Sequence, residues 1–377
     1  DEAFYNESEL INGRAPTGAE VEWVEEPSYF FNLSRWSEPL IKFYNNNPNF
    51  VEPETRYNEV KSFVSGGLND LSISRTSFNW GVKVPGDSNH IMYVWLDALT
   101  NYLTALDFDK KDIKNLNFWP ADIHMVGKDI LRFHAVYWPA FLMAANIPLP
   151  KKIFAHGWWT NEGEKISKSQ GNIIDPFNLT DKYGLDQIRY FLLRQVPFGK
   201  DGDFSKSALI SRINDDLSND LGNLCQRVLK FIYKNCNKKL PNQPKILDVK
   251  GKLIISNCNA LYEKILNNLD CQEYDKALKE IWIIISDSNK FIDLSEPWVL
   301  KKTNPEKMND VLWVLAELIR KIAIILQPFI PDSACKILDQ LSVPKEERDY
   351  FAFKTLSVKS ELINDPEPIF PKYFSNE

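Results

Sequence analysis

The sequence predicts an α/β + all-α chain, with half of a parallel-sheet domain first and an antiparallel helical bundle after it. Three observations carry this. Between residues 91 and 156, short apolar runs alternate with apolar residues at helical spacing, the grammar of strands joined by crossover helices. From about residue 206 the apolar positions fall almost wholly at i, i+3, i+4. Between the two regions lies a lysine–serine loop, "GEKISKSQGN", residues 163–172.

The first eighty or so residues are irregular and rich in aromatics, Asn, Pro and Glu. "VEWVEEPSYFFNLSRWSEPLIKFY" reads as a strand, a turn at Pro27 and a short amphipathic helix, while "DLSISR" and "WGVKVP" alternate as half-buried strands do. "IMYVW" is an apolar, aromatic strand candidate, followed by helical spacing in "LDALTNYLTAL". "IHMV" is a second strand, broken by Gly127, and "DILRFHAVYWPAFLMAAN" reads as a helix with Asp129 placed to cap its start. "KKIFAHGWW" is a third strand candidate. In parallel sheets ligands gather beyond the carboxyl ends of the strands, here Trp95 to Ala98, Gly127 to Asp129 and His156 to Trp159.

After the loop, "IIDPFNLTDKYGLDQIRYFLL" reads as an irregular stretch and then a helix from near Gly184. Leu209, Ile213, Leu217, Leu221, Leu224, Cys225, Val228 and Ile232 keep one stripe over more than six turns. Similar stripes run through Ile254 to Leu269, Tyr274 to Ile292 and Val311 to Leu326, separated by Asn- and Pro-bearing connections, as in a helical bundle. The tail "DPEPIFPKYF" holds too many prolines for a helix and reads as an extended strap.

Composition narrows the classes. At 377 residues, with 44% hydrophobic and 13% aromatic residues, the chain has ample material for two or three cores. No apolar run approaches 18 residues, so no membrane span is expected. The acidic start "DEAFYNESEL" lacks a signal-peptide layout. It also lacks an initiator methionine, and residue 1 is not expected to be the natural start. Five cysteines, odd in number and without a C-x-x-C pair, point away from a disulfide framework or cysteine zinc site and toward a reducing cytosol. The four histidines are scattered. With a net charge of −6, any nucleic-acid surface has to be a local patch.

The order of a βαβ half, a lysine–serine loop and a helical bundle narrows the choice further. "KISKS", Lys165 to Ser169, resembles the second signature loop of class I aminoacyl-tRNA synthetases, with Ile166 where that family often has methionine. "YVWLDALTNY", "GKDILRFH" and "EPWVLKK" are similar to methionyl-tRNA synthetase segments, in order and at matching spacing, and the resemblance covers essentially the whole chain. It implies the C-terminal half of a Rossmann-type catalytic domain with part of its connective insertion, followed by an anticodon-binding bundle. The implied domains are 1–88 (remainder of the insertion), 89–162 (second catalytic half), 163–205 (loop and linker), 206–343 (anticodon-binding bundle) and 344–377 (strap). The implied activity is ATP-dependent activation of methionine to methionyl-adenylate and its transfer to the 3′ end of tRNA-Met.

Residue roles follow from the same resemblance. Lys168 chiefly, with Lys165, would stabilise the phosphates of ATP as pyrophosphate leaves, a charge role suited to mobile ammonium groups. Gly163 and Gly171 beside them permit backbone conformations that bring amides close to a ligand. Trp95, Ala98 and Tyr102, about one turn apart, and Ile130 and His134, at i, i+4, would form much of the methionine pocket, with the aromatic rings against the thioether. Gly127, Asp129, His156 and the backbone around Trp159 would contact ATP, Asp129 on the ribose hydroxyls. Asn223 and Arg227 point away from the apolar stripe and are expected to be exposed. With Trp298 they would read the CAU anticodon by hydrogen bonding and stacking.

Two departures matter. No HIGH-type signature is present, so this chain alone is expected not to catalyse activation and to need a preceding segment of the same enzyme. The first twenty residues carry no cysteine where many relatives have a zinc knuckle, so the expected cofactors are ATP with Mg2+ and no structural zinc. The alternatives are a non-catalytic tRNA-binding module, or a class I synthetase for another apolar amino acid, for which the usual large editing insertion has no room. The expected location is the bacterial cytoplasm or, alternatively, the mitochondrial matrix.

Overall fold

The structure, a computed structural model, describes residues 10–15, 18–22, 26–108, 117–166 and 171–374. The strand expected in residues 21–25 lies partly outside them. The chain divides into two compact units, Asp1–Ala155 and His156–Glu377.

In chain order the first unit holds β1 (Phe30–Phe31), α1 (Ser37–Asn46), β2 (Val51–Glu52), α2 (Glu54–Ser65), β3 (Leu71–Ser72), β4 (Ser74–Arg75), β5 (Lys83–Val84), β6 (Asp87–Met92), α3 (Val94–Thr104), β7 (His124–Gly127), α4 (Trp138–Ala144) and β8 (Ile153–His156), whose last residue opens the second unit. β8 lies between β2 and β7 and runs parallel to β2, with Val51 opposite Ile153. β4, β6 and β5 form a separate antiparallel sheet.

This corrects the reading of "IMYVW". Ile91 and Met92 end β6 in the antiparallel sheet, while Val94 and Trp95 already belong to α3. The partner of β8 is instead β2, only two residues long and inside the segment read as insertion. Asp129 is corrected too. The chain leaves β7 through a 3-10 turn, Lys128–Ile130, whose N-cap is Gly127, and Asp129 sits within that first turn. A π-helical turn, Phe133–Tyr137, then leads into α4.

Burial follows the helical spacing. Leu40 and Tyr44 of α1 and Val60 and Val64 of α2 each lie one turn apart, and they are buried together with Val126, Ala135 and Ile153. Tyr44 fixes this packing through Oη, which donates to the Ala135 carbonyl at 2.5 Å. A second cluster joins Leu99 and Leu103 of α3 to Trp119, Trp138 and Leu142.

The second unit continues with β9 (Trp159–Asn161), β10 (Glu164–Lys165), α5 (Pro176–Tyr183), α6 (Leu185–Arg194), β11 (Gly202–Phe204), α7 (Lys206–Arg212), a π-helical segment (Ile213–Gly222), α8 (Asn223–Asn235), α9 (Val249–Asp270), α10 (Tyr274–Ser295), α11 (Pro297–Thr303), α12 (Pro305–Leu326), α13 (Pro331–Gln340) and α14 (Tyr350–Thr355). β9 pairs antiparallel with β10 and parallel with β11. The stretch read as irregular before Gly184 contains α5, capped by Asp175, whose carboxylate accepts from the Phe177 amide at 2.8 Å.

From Leu209 to Ile232 every residue of the predicted stripe is buried. α12 is buried on all sides from Val311 to Leu326 and runs through the centre of the bundle. Its Glu317 accepts from Arg320 Nη2 at 2.7 Å and from the Val358 amide at 2.9 Å. Arg320 Nη1 donates onward to the Ala352 carbonyl, and Lys321 to that of Phe353. A buried carboxylate and two buried cations thus tie the chain around α14 to the central helix. The tail over residues 356–374 contains no helix, as its prolines demand. Among the described residues no helix is long and apolar enough to cross a membrane.

Candidate functional site

In the first unit the structure brings four of the five pocket residues together. Tyr102 Oη lies 2.9 Å from His134 Nε2, and His134 Nδ1 lies 3.0 Å from the Ile130 carbonyl. A carbonyl only accepts, so Nδ1 carries the proton and Nε2 receives the Tyr102 hydroxyl. Burial holds the His134 imidazole below its ordinary value, against the Ile130 bond that favours charge, and burial raises the Tyr102 phenol. The pair is therefore a neutral donor–acceptor relay near pH 7.

Trp95 stacks on Phe133 with centroids 3.8 Å apart and planes 10° apart, and its ring stands edge-on to His134 at 6.4 Å. Ile130 enters the relay through its backbone. Ala98 lies on the exposed face of α3 and makes no ring contact with the others.

Two further side chains belong to this cluster and escaped the sequence reading. Phe133 is the immediate neighbour of His134 in "RFH", so a π-turn offset was needed to see that both face Trp95. His124 packs against the Tyr102 ring at 4.1 Å and accepts from Trp138 Nε1 at 3.3 Å. Burial first, and nearby His134 second, push its imidazole down to about 4.

Gly127 ends β7 with φ of −70°, a conformation open to any residue, so its backbone angle alone makes no demand for glycine. Asp129 is exposed on the following turn and lines a cavity of about 950 Å3 with Lys128, Arg132, Phe133 and Tyr93.

In the second unit, His156 Nδ1 lies 2.9 Å from the Gly157 carbonyl, and its ring is 6.0 Å from Phe198. A side chain at Gly157 would overlap the Lys200 backbone, so glycine is required where the chain enters β9. Trp159 begins β9, opposite Gly202, with its ring 5.8 Å from Phe191.

The lysine–serine loop starts from a tight hairpin. Glu162 and Gly163 both have positive φ, 49° and 82°, as a two-residue type I′ turn requires. Lys165 ends β10 with its ammonium 6.0 Å from the Trp158 ring. Across the loop base, Asn172 Nδ2 donates to the Lys165 carbonyl and Asn161 Nδ2 to that of Asn172, both at 2.9 Å. Lys168 lies outside the described residues.

On the bundle, Asn223 is exposed at the start of α8 and Trp298 is 43% exposed on α11. Arg227 departs from the sequence expectation of an exposed residue. It is half-buried, ion-paired to Asp293 at 2.5 Å, with its guanidinium 6.0 Å from the Trp298 ring. Asp293 was not singled out, because a carboxylate five residues before Trp298 carries no signal until two helices are packed.

The family profile "tRNA synthetases class I (M)" matches residues 2–229, and "Anticodon binding domain of methionyl tRNA ligase" matches 244–373. The methionine–tRNA ligase of Rickettsia conorii is 55% identical over 99% of this chain and 74% of its own length. That of Brucella suis is 51% identical over 99% of this chain and 73% of its own. The crystal structure of Mycobacterium tuberculosis methionyl-tRNA synthetase bound by methionyl-adenylate superposes with a TM-score of 0.93 at 47% identity, covering 98% of this chain and 74% of that one. With both halves matched and half of all residues shared with curated enzymes, this chain belongs to the methionine–tRNA ligases, the methionyl members of the class I tRNA synthetases.

Proposed function

We propose that the cluster around Trp95, Tyr102, Ile130 and His134 binds methionine, with Ala98 at its edge and the Trp95 and Tyr102 rings against the thioether. The observation that carries this reading is the relay from the Ile130 carbonyl through His134 to the Tyr102 hydroxyl. Burial keeps both polar side chains neutral and the relay orients them beside an aromatic wall, which suits a soft, uncharged sulfur and leaves no fixed charge to favour an acidic or basic side chain.

In activation, a methionine carboxylate oxygen attacks the α-phosphorus of ATP. The bond to the pyrophosphate oxygen breaks, leaving methionyl-adenylate. Gly127 and Asp129 serve the adenosine, Asp129 on the ribose hydroxyls, with His156 and the backbone at Trp159 as further nucleotide contacts. Lys168, assisted by Lys165, takes up the negative charge that grows on the departing pyrophosphate, a stabilisation made in the transition state rather than in the ground state. In transfer, a 3′-terminal hydroxyl of tRNA-Met attacks the adenylate carbonyl and AMP leaves. Asn223, Arg227 and Trp298 read the CAU anticodon, and the five domains drawn from sequence describe this division of labour.

Among the described residues no cluster of three His, Cys, Asp or Glu side chains is arranged for a metal ion. A magnesium ion would arrive with ATP, held by its phosphate oxygens, and no step here is assigned to it.

Methionine-dependent ATP–pyrophosphate exchange tests the reading in the enzyme that carries this chain. Lys168→Ala is expected to lower kcat by about 100-fold or more. An unchanged kcat would remove the loop from the chemistry.

A further inference from the structure

The small sheet of the second unit carries a polar clamp that has no part in the relay or in the anticodon face. β9 lies between β10 and β11, and the register sets Lys165, Thr160 and Asp203 opposite one another in one row across the three strands. Residues directly opposite share a face of a sheet. The first lysine of the loop, the central threonine and the aspartate therefore stand on one side of it.

From β11 the aspartate reaches into the hairpin. A single oxygen, Asp203 Oδ1, accepts from Thr160 Oγ1 at 2.5 Å and from the Gly163 amide at 2.8 Å. A four-residue turn is closed between its first carbonyl and its fourth amide. The Gly163 amide, third in the turn, has no partner inside that closure, and Asp203 supplies one. The bond from Thr160 first, and that from Gly163 second, hold the Asp203 carboxyl below the usual carboxylate range. An ionised carboxylate only accepts, which is what two donors require.

Glu162 adds contacts in the same direction. Its amide donates to the Phe204 carbonyl at 2.9 Å, and its carboxylate accepts from the Lys206 amide at 3.1 Å. Phe204 and Leu209 are buried in the core of this unit. The exposed turn is thus fastened to a rigid junction, the end of β11 and the start of α7.

We propose that Asp203 is a positioning residue for the activation step: its carboxylate fixes the Glu162–Gly163 turn to β11 and thereby the direction in which the lysine loop leaves β10. The inference rests on the reading of Lys168 and Lys165 as the groups that stabilise departing pyrophosphate. Asp203 acts through the loop and not on the substrate. A hairpin free to swing on β11 would carry the ammonium groups away from a charge they have to meet at hydrogen-bonding distance, and a displacement of about 1 Å can cost about 100-fold in rate. A clamp that only supports the fold would affect every step alike. One that aims the loop affects the step in which pyrophosphate leaves.

The test compares Asp203→Ala, Asp203→Asn, Lys168→Ala and the double variant Asp203→Ala/Lys168→Ala in the enzyme that carries this chain. Methionine-dependent ATP–pyrophosphate exchange reads activation, and single-turnover transfer from preformed methionyl-adenylate to tRNA-Met reads the second step. Asp203→Ala is expected to lower kcat of exchange about 10-fold, while the KM for methionine and the transfer rate stay within about 2-fold. Asp203→Asn keeps an oxygen that accepts from both donors, and kcat is expected to recover to within about 3-fold of the parent. Because Asp203 works through the lysines, the double variant is expected to be at most about 2-fold slower than Lys168→Ala. Should Asp203→Ala fail to fold, Thr160→Val removes one of the two bonds and is expected to show the same split at about 3-fold. Exchange and transfer falling together, or the two substitutions multiplying in the double variant, would make Asp203 part of the scaffold and overturn the proposal. If Lys168→Ala slows exchange while Asp203→Ala does not, this inference fails and the loop reading stands. If Lys168→Ala leaves exchange unchanged, both fail.

Discussion

Replacing Asp293 by asparagine asks how Arg227 is held before tRNA arrives. The two side chains form a 2.5 Å ion pair at partial exposure, 31% for Arg227 and 60% for Asp293. An exposed pair of this kind is worth about 0.2–1 kcal/mol. A base or phosphate that takes the guanidinium from Asp293 must offset that amount, a factor of about 1.4- to 5-fold in affinity. Asp293→Asn keeps the shape and removes the charge. Binding of any tRNA is therefore expected to tighten by up to about 5-fold, and because the gain is electrostatic it is shared by non-cognate tRNA. The ratio of cognate to non-cognate affinity, measured by filter binding at fixed salt, is expected to fall or stay level. If instead cognate binding weakens by more than 10-fold, Asp293 orients Arg227 and does not mask it, and the argument from competition is wrong.

Three further outcomes follow from the same geometry. Tyr102→Phe removes the donor to a nitrogen of His134, a residue 3% exposed, at a cost of about 1–3 kcal/mol; the KM for methionine in pyrophosphate exchange is expected to rise about 10-fold with kcat little changed, and an unaltered KM would detach the relay from methionine. Glu317→Ala leaves Arg320 and Lys321 charged at 2% and 4% exposure, at a cost of about 3–5 kcal/mol; the Tm of the second unit is expected to drop by about 6–20 °C, and a shift under 2 °C would show that Glu317 does not hold the two cations. His124, whose value in the folded state is pushed down to about 4, binds its proton more weakly folded than unfolded; its contribution is fully present above about pH 6.5 and is lost as pH falls toward 4, by about 3 kcal/mol at most, so unfolding free energy measured from pH 7 to 4.5 should slope less steeply in His124→Gln.

The bundle was legible because long helices repeat their period many times. The stripes at Leu209–Ile232 and Val311–Leu326 are buried as their spacing requires. The sheet was less legible because its strands are two to six residues long, too short for a period to repeat. Val51–Glu52 is a strand only because Ile153 and Phe154 lie alongside, and "IMYVW" splits between β6 and α3 although it reads as one apolar run. α5 did carry a signal, an Asp175–Pro176 start, inside the stretch read as irregular. At the candidate sites the sequence displayed each helix face separately: Trp95 and Tyr102 on one, Ile130 and His134 on another. What it did not display are pairings across elements, Tyr102 with His134, Trp95 with Phe133 and Arg227 with Asp293, since these depend on packing rather than on spacing.

One irregularity connects the two levels. Leu209, Ile213, Leu217 and Leu221 follow one another at four-residue steps, and each is at most 1% exposed. On a regular α-helix four residues turn about 400°, so three such steps drift by about 120° and would carry Leu221 out of the core. The structure resolves the conflict by widening the helix into a π segment from Ile213 to Gly222, where each residue turns the chain less. Normal winding resumes at Asn223, where the stripe changes to mixed steps of three and four through Leu224, Cys225, Val228 and Ile232. The wide segment thus ends one residue before the first proposed anticodon contact, and it sets the azimuth at which Asn223 and Arg227 emerge. The apolar spacing upstream of the reading face is what orients that face. A substitution at Leu217, which follows Ile213 in the stripe, would therefore act on RNA recognition through the winding of the helix as well as through the core it fills.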